Sequence, residues 1–162
     1  MRNAGGQRAR PFLRKGEIIL SEHFKALSAV FPLILKNDGA GTEILLHRRQ
    51  NTGYEDGKWD IAASGHVDEG ETASAAVIRE CKEEIGIEVS AAAISFVHLS
   101  RTYYDIYFVI SGYCGTPSIM EPEKCSELKW FELDNLPADI IECRRQDIQN
   151  YLDKDPYSEK PC

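Results

Sequence analysis

The stretch G-H-V-D-E-G-E-T-A-S-A-A-V-I-R-E-C-K-E-E-I-G-I, residues 65–87, organises this 162-residue chain. Its second half predicts a helix that begins at Glu71 or Thr72 and ends at Gly86. Glycine suits that end because it readily adopts the left-handed backbone conformation that terminates helices. The stretch therefore predicts a loop followed by one helix between two glycines.

Three carboxylates fall on one face of this predicted helix. At 100° per residue they lie within an arc of about 100°, and they belong to Glu80, Glu83 and Glu84. The opposite face is apolar and predicts packing on a sheet through Ile78, Cys81 and Ile85.

Like charges at this spacing destabilise a helix by a few tenths of a kcal/mol, and acidic residues near its C-terminus oppose the helix dipole. A divalent cation would remove both conflicts, and oxygen ligands favour Mg²⁺, Mn²⁺ or Ca²⁺. Arg79 can also pair with Glu80 or Glu71 and hold the acidic face in shape. A plain solvated acidic face is the alternative.

Composition is that of an ordinary globular domain, with 43% hydrophobic and 28% charged residues. The net charge of −7 argues against a nucleic acid polymer as partner. No apolar run reaches transmembrane length, so we expect a cytoplasmic protein without a membrane partner. The five cysteines form no C-x-x-C pair, which predicts reduced thiols.

Local signals predict a hairpin and a second helix. Two apolar strands, over residues 24–35 and 43–49, flank the turn cluster N-D-G-A-G and predict the hairpin. Leu136-Pro137 precedes a predicted helix from about Ala138 to Leu152.

Strand and helix signals mix without regular βαβ alternation, which predicts an α+β fold with a mixed β-sheet between helices. We expect a flexible N-terminal segment over residues 1–15, one domain over 16–153 and a polar C-terminal tail over 154–162. Pro32 in an apolar strand predicts a sheet edge or a bulge. An exposed edge would make a homodimer possible.

The central stretch matches the pattern G-x5-E-x7-R-E-U-x-E-E-x-G-U, where U is apolar, and so resembles the box of the Nudix hydrolases (MutT-like). Seven specified residues, each at an average usage of about 6–7%, coincide by chance less than about once in 10⁸ positions. The resemblance implies an α/β/α sandwich and a Mg²⁺- or Mn²⁺-dependent enzyme. It also implies hydrolysis of a nucleoside diphosphate linked to another group.

The resemblance also implies roles for the residues of the box. Glu80, Glu83 and Glu84 would bind metal together with the Gly65 carbonyl, and Glu80 or Glu83 would act as general base beside Arg79. Two further box residues, Glu71 and Gly86, would be structural. Some relatives carry another acidic ligand shortly before a late tryptophan, and here that position predicts Glu127, with Glu121 and Glu123 nearby.

Residues outside the box would select the substrate. Arg48, Arg49 and Lys58 can contact phosphates. Tyr103 has the spacing of a tyrosine in dinucleoside polyphosphate hydrolases. Asp139 occupies a position where relatives contact a purine, or alternatively caps a helix.

The small size and the absence of the NADH pyrophosphatase motif S-Q-P-W-P-F-P-x-S favour a (deoxy)nucleoside triphosphate, cleaved to monophosphate and pyrophosphate. The alternative substrates are a dinucleoside polyphosphate, ADP-ribose or a nucleoside diphosphate sugar. A non-catalytic nucleotide-binding module is the alternative from another class.

Overall fold

The computed structural model describes residues 27–37, 39, 41–91, 94–100 and 104–159. Its strands are β1 (Ala29–Asn37), β2 (Thr42–Arg49), β3 (Trp59–Ile61), β4 (Gly65–His66), β5 (Ile94–Ser100), β6 (Asp105–Ile110), β7 (Cys125–Glu132) and β8 (Tyr157–Ser158). Its helices are α1 (Ala73–Ile85) and α2 (Glu142–Leu152). The predicted segment 1–15 and Tyr103 lie outside the described residues.

The strands form one mixed sheet in the order β3-β2-β1-β6-β5-β8, with β4 paired to β1 and β7 paired to β2. β1 runs antiparallel to β2, as the predicted hairpin requires, and parallel to β6. This combination confirms the predicted α+β class.

Alternate side chains of β1 enter two separate cores, because successive residues of a strand point to opposite faces. Val30 and Ile34 belong to the core that contains the apolar back of α1. Phe31 and Leu33 belong to the core that contains Ile148 of α2. The sheet therefore lies between the two helices.

Pro32 does not mark a sheet edge, and that expectation is wrong. β1 is an interior strand between β2 and β6. Pro32 lies opposite Phe108 of β6, between the residues that pair with β4 and those that pair with β2. The missing N–H is tolerated where β1 passes from one antiparallel neighbour to the next. The exposed edge that suggested a homodimer is therefore not present.

Helix α2 begins at Glu142, later than the predicted start near Ala138. The preceding residues are used in a strand-like contact, in which the Trp59 N–H donates to the Asp139 carbonyl at 3.1 Å. The Ile141 N–H donates to the Trp59 carbonyl at 2.9 Å. Ile141 takes the N-cap position, so Asp139 is not a helix cap.

Both ends of α1 are defined as the sequence predicts. The Ala75 N–H donates to Thr72 Oγ1 at 3.2 Å, and Gly86 ends the helix with φ of 71°. Among the cysteines, Cys81, Cys114 and Cys125 are free, whereas Cys143 is disulfide-bonded. The expectation that all the thiols are reduced is therefore wrong at Cys143, because an odd count without a motif does not prevent one pair. No helix of the described residues is long and apolar enough to cross a membrane.

We expect Gly86→Ala to lower the free energy of unfolding by about 1–2 kcal/mol in chemical denaturation. The left-handed backbone strains any side chain, and a Cβ there would lie 3.1 Å from Met120 Sδ. Gly112→Ala is the matched control, because nothing lies within 4 Å of a Cβ at Gly112. Equal losses for the two variants would contradict this account of the helix end.

Candidate active site

Arg79 joins helix α1 to the loop that precedes it. Its Nε and Nη2 donate to the two oxygens of Glu71 at 3.2 and 3.0 Å, and Nη2 also donates to the His66 carbonyl at 3.0 Å. Its Nη1 donates to Glu80 at 2.5 Å and to Glu83 at 3.1 Å. The predicted partners Glu71 and Glu80 are thus both engaged, with Glu83 as a third.

Glu71 completes the support of this loop. Its carboxylate also accepts a hydrogen bond from the Asp68 N–H at 3.3 Å. The Arg79 guanidinium, followed by this backbone N–H, lowers the pKa of Glu71. Glu71 therefore remains ionised and holds the loop and the helix together.

Gly65 lies directly against the carboxylate of Glu80. A Cβ at position 65 would overlap that carboxylate, so any other residue there would displace it. Glu80 is only 8% exposed, and burial raises its pKa. The first glycine of the box therefore leaves room for a box carboxylate in this position.

Glu84 is fixed from the other side by the residue before Gly65. The Ser64 N–H donates to Glu84 Oε2 at 2.8 Å. Burial raises the pKa of Glu84 to about 7, and the charges of Glu80 and Glu121 add to the effect.

A pocket of about 370 Å³ opens beside Glu84. Its wall includes two residues of β2 and five from the segments before β4 and around the start of β7: His47, Arg49, Ala62, Ser64, Glu121, Lys124 and Cys125. Glu121 lies on this wall and pairs with Lys124 at 2.9 Å. One acidic residue of the box, Glu84, and one outside it, Glu121, thus line the same pocket.

Glu127 lies apart from the lining of this pocket. Arg48 donates from Nη1 to Glu127 at 3.0 Å and from Nη2 to Asp139 at 3.4 Å. Its Nε donates to the Gly57 carbonyl at 2.8 Å. The structure therefore groups three of the predicted site residues with one another rather than with the box. Lys58 pairs with Glu55 at 2.5 Å.

Arg49 does line the pocket, and it is held there on three sides. It donates to Asp60 Oδ2 at 2.9 Å, to the Tyr54 carbonyl at 2.9 Å and to Thr52 Oγ1 at 3.0 Å. Asp60 is 1% exposed, and its other oxygen accepts from Nε of Arg144 at 3.1 Å. One buried carboxylate thus connects the pocket wall to helix α2.

The donor chemistry around the box suits a hard divalent cation. Each of the three helix carboxylates uses one oxygen in the contacts above, with Arg79 or with Ser64. In the described part of the chain, no three acidic, histidine or cysteine side chains converge at metal-binding distances. The residues therefore fit the cation by type, and each carboxylate keeps a second oxygen outside these contacts.

Sequence reasoning missed several residues of this site. Glu121 was named only as a neighbour of Glu127, and Lys124 was not named. His47 gave no signal, since a lone histidine in a strand is common. Asp60 did give one, because it is a charged residue inside the buried run W-D-I-A-A.

Comparison with known proteins gives a match to the family model "NUDIX domain" over residues 26–151. The chain is 29% identical over 123 residues to "Putative nudix hydrolase 1" of Caenorhabditis elegans, covering 75% of this chain and 33% of that protein. It is 28% identical over 137 residues to "NAD-capped RNA hydrolase NudC" of Stutzerimonas stutzeri, covering 81% and 45%. The chain thus spans about a third to a half of the length of these curated relatives.

The fold is also that of a solved structure, the MutT NUDIX hydrolase from Burkholderia pseudomallei. The TM-score is 0.66 at 25% sequence identity, with 78% of this chain and 98% of that chain covered. The layered arrangement of sheet and helices is therefore that of the NUDIX fold.

A pH effect follows from the burial of Glu84. Since its pKa is near 7 in the folded protein and 4.5 as a free side chain, the folded state binds more protons between these values. Its contribution to stability therefore falls as pH rises from about 4.5 to 7. Glu84→Gln removes this titration but keeps an acceptor for the Ser64 N–H.

We expect Glu84→Gln to gain about 2–3 kcal/mol of unfolding free energy relative to the wild type between pH 5 and pH 8. Urea denaturation in the presence of a chelator measures this difference. A difference that does not change with pH would contradict the assignment.

Proposed function

The chain belongs to the NUDIX family, and we propose that it is a metal-dependent hydrolase of (deoxy)nucleoside triphosphates that releases monophosphate and pyrophosphate. The observation that carries this proposal is the complete acidic face of α1 beside an open pocket. Arg79 and the Ser64 N–H hold its carboxylates, which belong to Glu80, Glu83 and Glu84.

Enzymes of this family act on pyrophosphate bonds and generally use a divalent metal. In this chain we assign its ligands to the three helix carboxylates and the Gly65 carbonyl. When bound, Mg²⁺ or Mn²⁺ would neutralise phosphate charge and lower the pKa of water. Glu80 or Glu83 would accept the proton of the attacking water. Arg79 would keep both carboxylates in position.

We propose Glu121 as a further acidic ligand in preference to Glu127. Glu121 lines the same pocket as Glu84, and its charge acts on both Glu80 and Glu84. Glu127 is instead committed to Arg48. Within the acidic segment that the sequence argument named, the side-chain contacts favour Glu121 over Glu127.

Arg49 is the cation that we propose for the substrate phosphates, because it is the one of the three predicted cations that lines the pocket. Arg48 and Lys58 already face acidic partners. Their predicted contacts with phosphate therefore have less support. The role of Asp139 at the base stays a prediction.

The second candidate function is hydrolysis of another nucleoside diphosphate derivative. Its support is the similarity to a relative named "NAD-capped RNA hydrolase NudC". The missing S-Q-P-W-P-F-P-x-S motif favours the triphosphate. A non-catalytic binding module is disfavoured because no box carboxylate has been lost. We propose a small-molecule nucleotide as the partner and a cytoplasmic location.

Turnover tests the proposal directly. With Mg²⁺ or Mn²⁺ we expect the protein to release pyrophosphate from at least one ribo- or deoxynucleoside triphosphate. The panel also includes ADP-ribose, a dinucleoside polyphosphate and a nucleoside diphosphate sugar, with products separated by chromatography. We expect Glu84→Gln to abolish turnover, whereas Glu88→Gln, at an exposed residue paired with Lys82, keeps it. No turnover on any compound would refute the proposal.

A second comparison separates the two candidate acidic ligands. We expect Glu121→Gln to reduce kcat at limiting Mg²⁺ by about 10-fold or more. Mutation of residues around a metal's ligands commonly lowers metal affinity or activity by about 10- to 100-fold. Glu127→Gln should cost less than about 3-fold. Titration of activity against Mg²⁺ concentration is the measurement, and the reverse order of the two variants would restore Glu127 as the ligand.

A further inference from the structure

His47 is a buried histidine on the wall of the pocket. It belongs to β2 and is only 8% exposed. Its Nδ1 lies 3.1 Å from the Ala62 carbonyl oxygen. A carbonyl oxygen only accepts hydrogen bonds, so Nδ1 is the ring nitrogen that carries hydrogen.

Burial favours the neutral form of the ring and lowers the pKa of His47, and the charge of Arg49 acts in the same direction. The charge of Asp60 and the Ala62 carbonyl oppose this shift. With Nδ1 protonated in a neutral ring, Nε2 carries a lone pair and can only accept a hydrogen bond.

His47 lines the pocket, and its second ring nitrogen, Nε2, is the atom left for a ligand. Within the described chain, no buried side-chain nitrogen or oxygen lacks a hydrogen-bond partner. The contact that the described residues give to the His47 ring is the one from Nδ1. Nε2 must therefore be accessible to solvent, and the part of this residue that is accessible lines the pocket.

We infer that His47 is a specificity residue whose Nε2 accepts a hydrogen bond from a donor group of the bound nucleotide. An N–H of the base and a hydroxyl of the sugar share this chemistry. A substrate that displaces water from Nε2 without supplying a donor leaves a buried acceptor unpaired, which costs affinity. Sites built to hydrogen-bond a substrate group reject analogues that lack the group. The inference rests on the proposed function.

The test uses a variant that removes Nε2 alone. His47→Asn keeps an amide N–H near the position of Nδ1 for the Ala62 carbonyl but has no atom at the position of Nε2. His47→Gln is the matched control, because its longer amide carries an acceptor to that position. Thermal unfolding of both variants checks that the fold is retained.

Paired substrates identify the donor group. GTP is compared with ITP, which lacks the 2-amino group, and ATP with the triphosphate of unsubstituted purine riboside. Each ribonucleotide is compared with its 2′-deoxy form. Tripolyphosphate offers no nucleoside donor and measures any effect on the phosphate site alone.

For the wild type we expect one of these deletions to lower kcat/KM by about 10-fold or more. In His47→Asn, deleting the same substrate group should leave kcat/KM unchanged. In His47→Gln, part of the wild-type sensitivity to this deletion should return. Which pair responds distinguishes a base N–H from a sugar hydroxyl. The inference would be overturned if the His47 variants lost kcat/KM equally on all substrates, tripolyphosphate included. It would also be overturned if the effect of deleting a substrate group were the same in the wild type and in His47→Asn for every pair.

The dissociation constants of the same nucleotides, measured by calorimetry with Mg²⁺, give the coupling independently of turnover. A wild-type protein that hydrolyses none of the compounds refutes the proposed function. Normal turnover without coupling to His47 refutes only the specificity role. Coupling in the dissociation constants without turnover would support His47 as part of a nucleotide-binding module.

Discussion

The site depends on one guanidinium. Arg79 donates hydrogen bonds to three carboxylates and a backbone carbonyl, and it lies between the loop and the helix of the box. Without it, Glu80 and Glu83 would add like charges to one face of a helix that already carries Glu84. The same guanidinium occupies one oxygen of Glu80 and one of Glu83. It therefore stabilises the acidic face and also restrains the carboxylates that would bind a cation.

A second buried contact connects the pocket to the other core. Asp60 accepts hydrogen bonds from Arg49 on the pocket wall and from Arg144 on α2. Arg144 also donates to Tyr107, and its guanidinium lies 3.8 Å from the centre of the Phe31 ring. Buried ion pairs of this kind are costly unless fully hydrogen-bonded. Arg49 on the pocket wall is thus connected through Asp60 to helix α2, on the other face of the sheet.

Sequence patterns over a few neighbouring residues predicted the elements whose form depends on contacts between near neighbours in the chain. Helical projection and the glycine cap gave the extent of α1, and the spacing of the box identified Glu71, Arg79 and Glu80 as a group. The start of α2 was predicted wrongly, because Ile140 and Ile141 pair with β3, which lies about 80 positions earlier in the chain. The places of Glu121 and His47 on the pocket wall were not predicted for a similar reason, since segments distant in sequence form this pocket.

The parallel pairing of β1 with β6 has a consequence for how the chain folds. Residues 29–34 find their partners at 105–110, so the centre of the sheet closes only after most of the chain is available. Contacts so distant in sequence slow folding, because the entropy of closing the loop is lost before any contact rewards it. During synthesis the apolar strand β1 emerges long before β6 does. Until then it presents an unpaired, aggregation-prone edge, and the nascent chain is most vulnerable in that interval.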